Sequence, residues 1–208
     1  APHARATRSP SDDEAISRAL HDPVPEVRAA AAEAHAEVHE DEAIDTLVPL
    51  LDDPERVVRT SAMAGLLSHG GFEGAMVAGS RLSVLSASNL PEDRCDAAQA
   101  LGALGRSGAK RLRALLEDPD RRVRLAAVES ARDVADPRLV PDLLRLLADP
   151  AARNGASAAL SAVGNPALEP LAALLAAPET DRDVRLAIPR VLRGIRTRES
   201  YATLKASI

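Results

Sequence analysis

Three groups of residues have side chains and spacings that suit chemistry. His35 and His39, in the phrase HAEVHE, lie four residues apart. On a helix that spacing puts both imidazoles on one face, where two nitrogen ligands could hold a metal. The phrase is not His-Glu-x-x-His and no third ligand is evident, so a partly buried helix-face histidine is the plainer reading. Cys95 directly follows Arg94 near an expected helix start, a place where the pKa of a thiol can fall. No histidine stands near it in sequence to serve as its base.

The third group is the largest. Asp22 and Arg28, Asp53 and Arg59, and Asp118 and Arg124 each sit six residues apart, and Glu179 and Arg185 repeat the spacing. Arg153 continues the row of arginines. Such a row suits either of two chemistries. Each guanidinium fork can meet carboxylates of its own or the next turn and so tie successive elements together. Alternatively, arginines and helix N-termini together can line an anion site. The structural ladder is the reading adopted, through Asp22, Arg28, Asp53, Arg59, Asp118, Arg124, Arg153 and Arg185.

The elements that must position these residues follow from a repeat. The arginine recurs as Arg28, Arg59, Arg94, Arg124, Arg153 and Arg185, about 31 residues apart, a period that marks stacked repeat arrays. Three positions later stand Ala31, Ala62, Ala97, Ala127, Ala156 and Ile188. Six later stand Ala34, Gly65, Ala100, Ser130, Ala159 and Val191, and seven later His35, Leu66, Leu101, Ala131, Leu160 and Leu192. Steps of three, three and one fall on one helix face. The small residues permit close helix approach and the leucines fill the space between layers.

Asp-Pro pairs at 22–23, 53–54, 118–119 and 149–150 end a first helix, because a residue before proline is pushed out of the α region. Gly70, Gly105 and Gly164, eleven positions after their arginines, are expected as left-handed caps of second helices. The expected fold is all-α, a right-handed α-solenoid of about six helical hairpins plus a terminal helix. Residues 1–10 read as a flexible tail or linker and 11–208 as a single repeat domain. Ser11 caps a first helix over 12–21, paired with 25–38. The following pairs are 41–52 with 55–69, 107–117 with 120–134, 138–148 with 151–163, and 166–176 with 181–195, before a last helix from Thr197. The third hairpin is irregular. Gly70-Gly71 opens it, Gly74 and Gly79 are expected to interrupt its first helix, and a bend or offset in the stack is expected there.

At these residues the chain resembles a family. The pattern D-P-x-x-x-V-R-x-x-A-x-x-A-L-x-x-x-G is similar to short HEAT repeats, the type also called phycobilisome-lyase-like. The resemblance runs from 11 to 208 and implies a scaffold. HEAT-type hydroxylases hold iron with several His-Glu pairs; this chain has one, His39-Glu40, so that activity is not implied. Residues 64–82 and 183–197 further resemble HEAT segments of bacterial membrane proteins with an ATP:ADP-antiporter-like domain, nucleotide carriers of the major-facilitator type. That implies a cytosolic module of a transporter-like protein.

Composition narrows the function classes. Aromatic residues are 1% of the chain and the net charge is −5, which argues against a nucleic-acid binder. One cysteine excludes an internal disulfide framework and fits a reducing compartment. No run of about 18 apolar residues is present, so direct membrane insertion of this segment is not expected. The start at Ala1 without methionine reads as a piece of something longer. No catalytic set, cofactor or metal site is expected.

Charge is distributed unevenly. Residues 11–60 hold fourteen acids against four arginines, while the C-terminal end is rich in arginine. On the second helices, columns turned from the core carry Glu33 and Glu37 early, Glu129, Arg132 and Asp133 in the middle, and Arg190, Arg193 and Arg196 late. These are the candidate partner-binding residues, for a protein partner or a neighbouring domain of the same chain. The function expected is a non-catalytic scaffold module in the cytoplasm, tethered to the inner membrane through its parent. The alternative is a phycobilin-lyase-like accessory handling a prosthetic group.

Overall fold

The computed structural model describes residues 10–39 and 42–206. The architecture is all-α, with no strand among the described residues. Thirteen helices follow one another: α1 (Pro10–Ala19), α2 (Pro25–Val38), α3 (Ala43–Leu47), α4 (Arg56–His69), α5 (Gly71–Ser86), α6 (Pro91–Ala103), α7 (Ala109–Leu116), α8 (Arg121–Val134), α9 (Val140–Leu146), α10 (Arg153–Val163), α11 (Leu168–Ala176), α12 (Arg182–Ile195) and α13 (Arg198–Ala206). Five packed pairs stand out, α1 with α2 and α3 with α4 in the first unit, and α7 with α8, α9 with α10 and α11 with α12 in the second, in the manner of an α-solenoid. Two compact units part between Ser83 and Val84, inside α5.

The columns read from sequence become the core. Ala62, Ala97, Ala127, Ala156 and Ile188 are buried, and so are Leu66, Leu101, Ala131, Leu160 and Leu192. Small residues bring second helices together within each unit. In the first, a methyl on Gly65 would stand 2.8 Å from the Ala36 Cβ, so α4 lies hard against α2. In the second, a methyl on Gly102 would meet Ser130 at 2.8 Å, and one on Gly155 would meet Val128 at 2.5 Å. Those distances leave no room for a side chain at Gly65, Gly102 or Gly155.

The hairpin turns are built by aspartate. The Asp22 carboxylate accepts the Val24 N–H at 2.8 Å, and Asp53, Asp118 and Asp149 accept the N–H two residues on at 2.8–2.9 Å. Proline then removes the intervening donor, and after Asp22, Asp53 and Asp118 the chain leaves in the extended form that starts the second helix, whereas after Asp149 the cap Ala152 is already in the α region. The third turn lacks aspartate, and Ser88 stands in its place, its Oγ accepting the Leu90 N–H at 3.1 Å.

Several boundaries differ from expectation. Gly74 and Gly79 do not interrupt the first helix of the third pair; α5 runs unbroken over Gly71–Ser86. Gly74 is instead buried at a close approach, where a Cβ would sit 3.1 Å from the Leu66 carbonyl. Gly70 is not left-handed, with φ −76°; Gly71 takes that conformation at φ +60°. Gly70 is small because a Cβ there would meet the Leu66 carbonyl at 2.7 Å. The helix expected over 41–52 is shorter, because Pro49 tightens its second half into a 3-10 turn, Pro49–Asp52. Helix α1 begins at Pro10, ahead of the expected Ser11 cap; proline suits a first helical position. The rest of the expected tail, residues 1–9, lies outside the described residues.

Candidate functional site

The arginine column makes a clamp with two faces. Arg28 donates through Nη1 to the Asp22 carbonyl at 2.8 Å, in its own turn. Its Nε and Nη2 donate to both carboxylate oxygens of Asp53 at 3.0 and 2.9 Å, in the next turn. Arg94 repeats this in the second unit, with Nη1 to the Ser88 carbonyl at 2.8 Å and a fork to Asp118 at 2.7 and 2.9 Å. Those hydrogen bonds hold the Asp53 and Asp118 carboxyls below the usual carboxylate range and raise their arginines. One aspartate thus shapes its own turn and receives the arginine of the preceding repeat.

The column is not uniform. Arg59 and Arg124 hold the carbonyls of their own turns: Asp53 and Pro54 at 2.8 Å, and Asp118 and Pro119 at 2.7 and 3.0 Å. Arg153 holds the Leu147 carbonyl at 2.8 Å and reaches Asp183 at 3.3 Å. Arg185 gathers the carbonyls of Pro178 and Thr180 at 3.0 and 3.1 Å, so the six-residue spacing to Glu179 marks a carbonyl clamp there. The six-residue offset therefore brings an arginine to its own turn's backbone, while carboxylate pairing runs between repeats.

The expected partner-facing residues are all exposed: Glu33 and Glu37 in the first unit, and Glu129, Arg132, Asp133, Arg190, Arg193 and Arg196 in the second. Glu33 accepts a 2.7 Å hydrogen bond from Ser61, and Arg132 lies 3.5 Å from Asp133. The structure gathers the last three arginines. Arg190, Arg193 and Arg196 line an open cleft of about 480 Å³ together with Ser157 and Ser161 of α10 and Tyr201 of α13. Arg190 touches the Asn154 side chain at 3.4 Å. Among the described residues, none of the three arginines has a carboxylate within ion-pair distance. A surface with three uncompensated guanidinium groups attracts anions and orients planar ones through paired donors.

The family model for HEAT repeats matches residues 7–67, 80–164 and 113–193. The chain belongs to the HEAT-repeat family. A comparison with curated proteins returns no match. Among solved structures, the crystal structure of an engineered protein is similar at 22% sequence identity and a TM-score of 0.42. That likeness covers 89% of this chain and 96% of that one.

Within the HEAT array, the other chemical candidates lie in the packing. Cys95 is buried on α6. His35 occupies a leucine column, is 5% exposed, and among the described residues neither ring nitrogen has a partner of good hydrogen-bond geometry. Its ring lies 4.8 Å from that of His39, which pairs with Asp13 at 3.3 Å. No group of three or more His, Cys, Asp or Glu side chains among the described residues is placed to hold a metal. Glu40 lies outside the described residues. Among the described residues, no single helix is long and apolar enough to cross a membrane.

Two charged clusters escape the sequence reading. Asp142 on α9 is 1% exposed; it accepts Arg113 of α7 at 2.8 Å and also pairs with Arg145. Only its i,i+3 spacing to Arg145 could have pointed to it. Asp136 caps the 3-10 turn before α9 and takes the Arg138 fork at 2.8 and 2.9 Å. Arg138 also donates to the Arg106 carbonyl at 3.1 Å, tying neighbouring repeats. The signal was a fifth Asp-Pro pair, at 136–137.

Those bonds lower the Asp136 carboxyl to about 2. A depressed carboxyl contributes stability that is complete above its unfolded value of about 3.9 and is lost as pH falls toward 2. Urea midpoints of wild type and Asp136→Asn should therefore differ most above about pH 4 and converge toward pH 2. A difference independent of pH would show that the Asp136 charge contributes nothing.

Proposed function

We propose that this chain is a non-catalytic scaffold that binds a protein partner, or a neighbouring domain of its own parent, through the exposed faces of its second helices. The uncompensated arginines at Arg190, Arg193 and Arg196 carry the reading. They are solvent-facing, contribute little to the core, and concentrate charge in one cleft. Net charge and the near-absence of aromatics favour a protein partner over nucleic acid. The successive repeats act together as one repeat domain. The resemblance of 64–82 and 183–197 to HEAT segments of transporter-like bacterial proteins supports a module on the cytoplasmic side, tethered to the inner membrane through its parent.

The lyase-type alternative calls for an accessible nucleophile, and Cys95 is buried. That favours docking over handling of a prosthetic group. The test is titration of this segment with the remainder of its parent, supplied as a separate chain. Saturable association is expected, with an on-rate that falls as salt shortens the Debye length to about 8 Å at physiological strength. Absence of association at low salt would overturn the parent-domain reading.

A further inference from the structure

The cleft on α12 is longer than a single anion needs. A second hollow of about 220 Å³ adjoins it and shares Asn154, Ser157 and Arg190. The second hollow is lined by Leu186, Ala187 and the Arg153–Asp183 pair. The two together follow α12 for most of its 14 residues. At 1.5 Å per residue that is a trough of about 20 Å, the length of about six residues of extended chain. Its chemistry is graded. One end has three guanidinium groups with no carboxylate. At the other, Arg153 is neutralised by Asp183, and the exposed Leu186 offers an apolar surface.

Arg196 adds an independent observation. It caps α12 in the left-handed conformation, at φ 59° and ψ 30°. Eleven positions after the repeat arginine, the preceding repeat has Gly164 at φ +80°, and an earlier one has Gly105 at φ +54°. Left-handed backbone crowds any Cβ, so glycine is the unstrained choice there. The chain instead holds a strained arginine whose side chain lines the trough. Ala135 holds the same register in another repeat at φ 45°, with only a methyl group; Arg196 differs in placing a charged side chain in the trough.

We infer that this trough binds an extended acidic peptide segment, with clustered carboxylates on Arg190, Arg193 and Arg196 and an apolar residue against Leu186. The inference rests on the scaffold reading above and names its ligand. A segment fits better than a small anion because the hollows are continuous and change from cationic to apolar along their length.

The probe is a fluorescein-labelled glutamate-rich peptide of about eight residues carrying one leucine, enough to span the trough. Fluorescence anisotropy should give saturable binding that weakens with salt. A lysine-for-glutamate version of the peptide should not bind. The Arg190→Glu, Arg193→Glu double variant should lose about tenfold or more in affinity. Arg196→Gly should lose several-fold while its urea midpoint stays equal or rises, since glycine relieves the strain. Ala135→Gly, at the other left-handed non-glycine position, should raise the midpoint and leave peptide binding unchanged.

No binding of the acidic peptide, or equal binding by all variants, would overturn the inference. So would an Arg196→Gly protein with a lower midpoint and unchanged affinity, because Arg196 would then serve only the helix end. Full competition by inorganic phosphate at matched charge would replace the segment with a simple anion. Association with the parent's remainder in the absence of peptide binding sinks this inference alone; loss of both sinks the scaffold reading too.

Discussion

Arg94→Ala should lower stability by about 2–4 kcal/mol, read as a shift in the urea midpoint. The substitution removes three short hydrogen bonds at once: two to Asp118 and one to the Ser88 carbonyl. The carboxylate left behind is 6% exposed and, among the described residues, keeps the Asp120 N–H at 2.8 Å as its one hydrogen-bond partner. A buried carboxylate that loses its cation costs more than the pair contributed, because its desolvation remains.

Arg124→Ala should cost less, about 1–2 kcal/mol, since it loses two carbonyl contacts and leaves no charge stranded. Arg132→Ala, exposed two turns further along the same helix, should stay within about 0.5 kcal/mol. The order of the three midpoints is the measurement. Equal losses at Arg94 and Arg124 would mean that the inter-repeat fork adds nothing to the turn clamp.

His35→Leu should stabilise the protein by about 1–3 kcal/mol, an unusual direction for a core substitution. Every other repeat has alanine or leucine in this column, and leucine fills the space without polar atoms. Among the described residues neither buried nitrogen has a partner of good hydrogen-bond geometry, and the Glu42 backbone pulls on the ring only weakly, so its lost hydration is poorly replaced. Burial first, then the neighbouring His39, pushes its pKa down, against the weaker pull of Glu42 and Asp13.

The sign of the pH effect follows. The unfolded chain accepts a proton near the ordinary histidine value of about 6.5 and the folded chain resists it. Stability in wild type is therefore complete above that value. It declines as pH falls below it and levels once the folded pKa is passed. Urea midpoints between pH 5 and 8 should slope in wild type and be flatter in His35→Leu. Parallel slopes would mean that His35 takes up its proton equally in the folded and unfolded chain, and a lower midpoint in the variant would mean that its nitrogens are satisfied.

Local chemistry made the repeat legible from sequence. An Asp-Pro pair ends a helix through sterics and an Asx hydrogen bond, both decided within three residues. The alanine and leucine columns follow helical spacing, so they identify the buried face whatever the neighbours are. The same logic found the arginine column and the exposed arginines of α12. It also went astray where only a neighbour decides. Gly74 looked like a helix breaker, yet its smallness answers a contact with Leu66 of the preceding helix. Gly70 looked like a left-handed cap, and the cap passed to Gly71 because the Leu66 carbonyl stands where a Cβ would be.

Tertiary structure alone chose the partners. Arg94 and Arg124 hold the same register in their repeats; one reaches a carboxylate of the next repeat and the other does not, because that depends on how two hairpins stack. Asp142 is an ordinary helical aspartate until α7 brings Arg113 to it. The cleft exists because α10, α12 and α13 place residues 154–201 around one hollow. Sequence determines each hairpin, since its forces act within one or two helical turns. The distances between hairpins are set by side-chain fit across repeats, and that fit decides which arginines are clamps and which remain open to a partner.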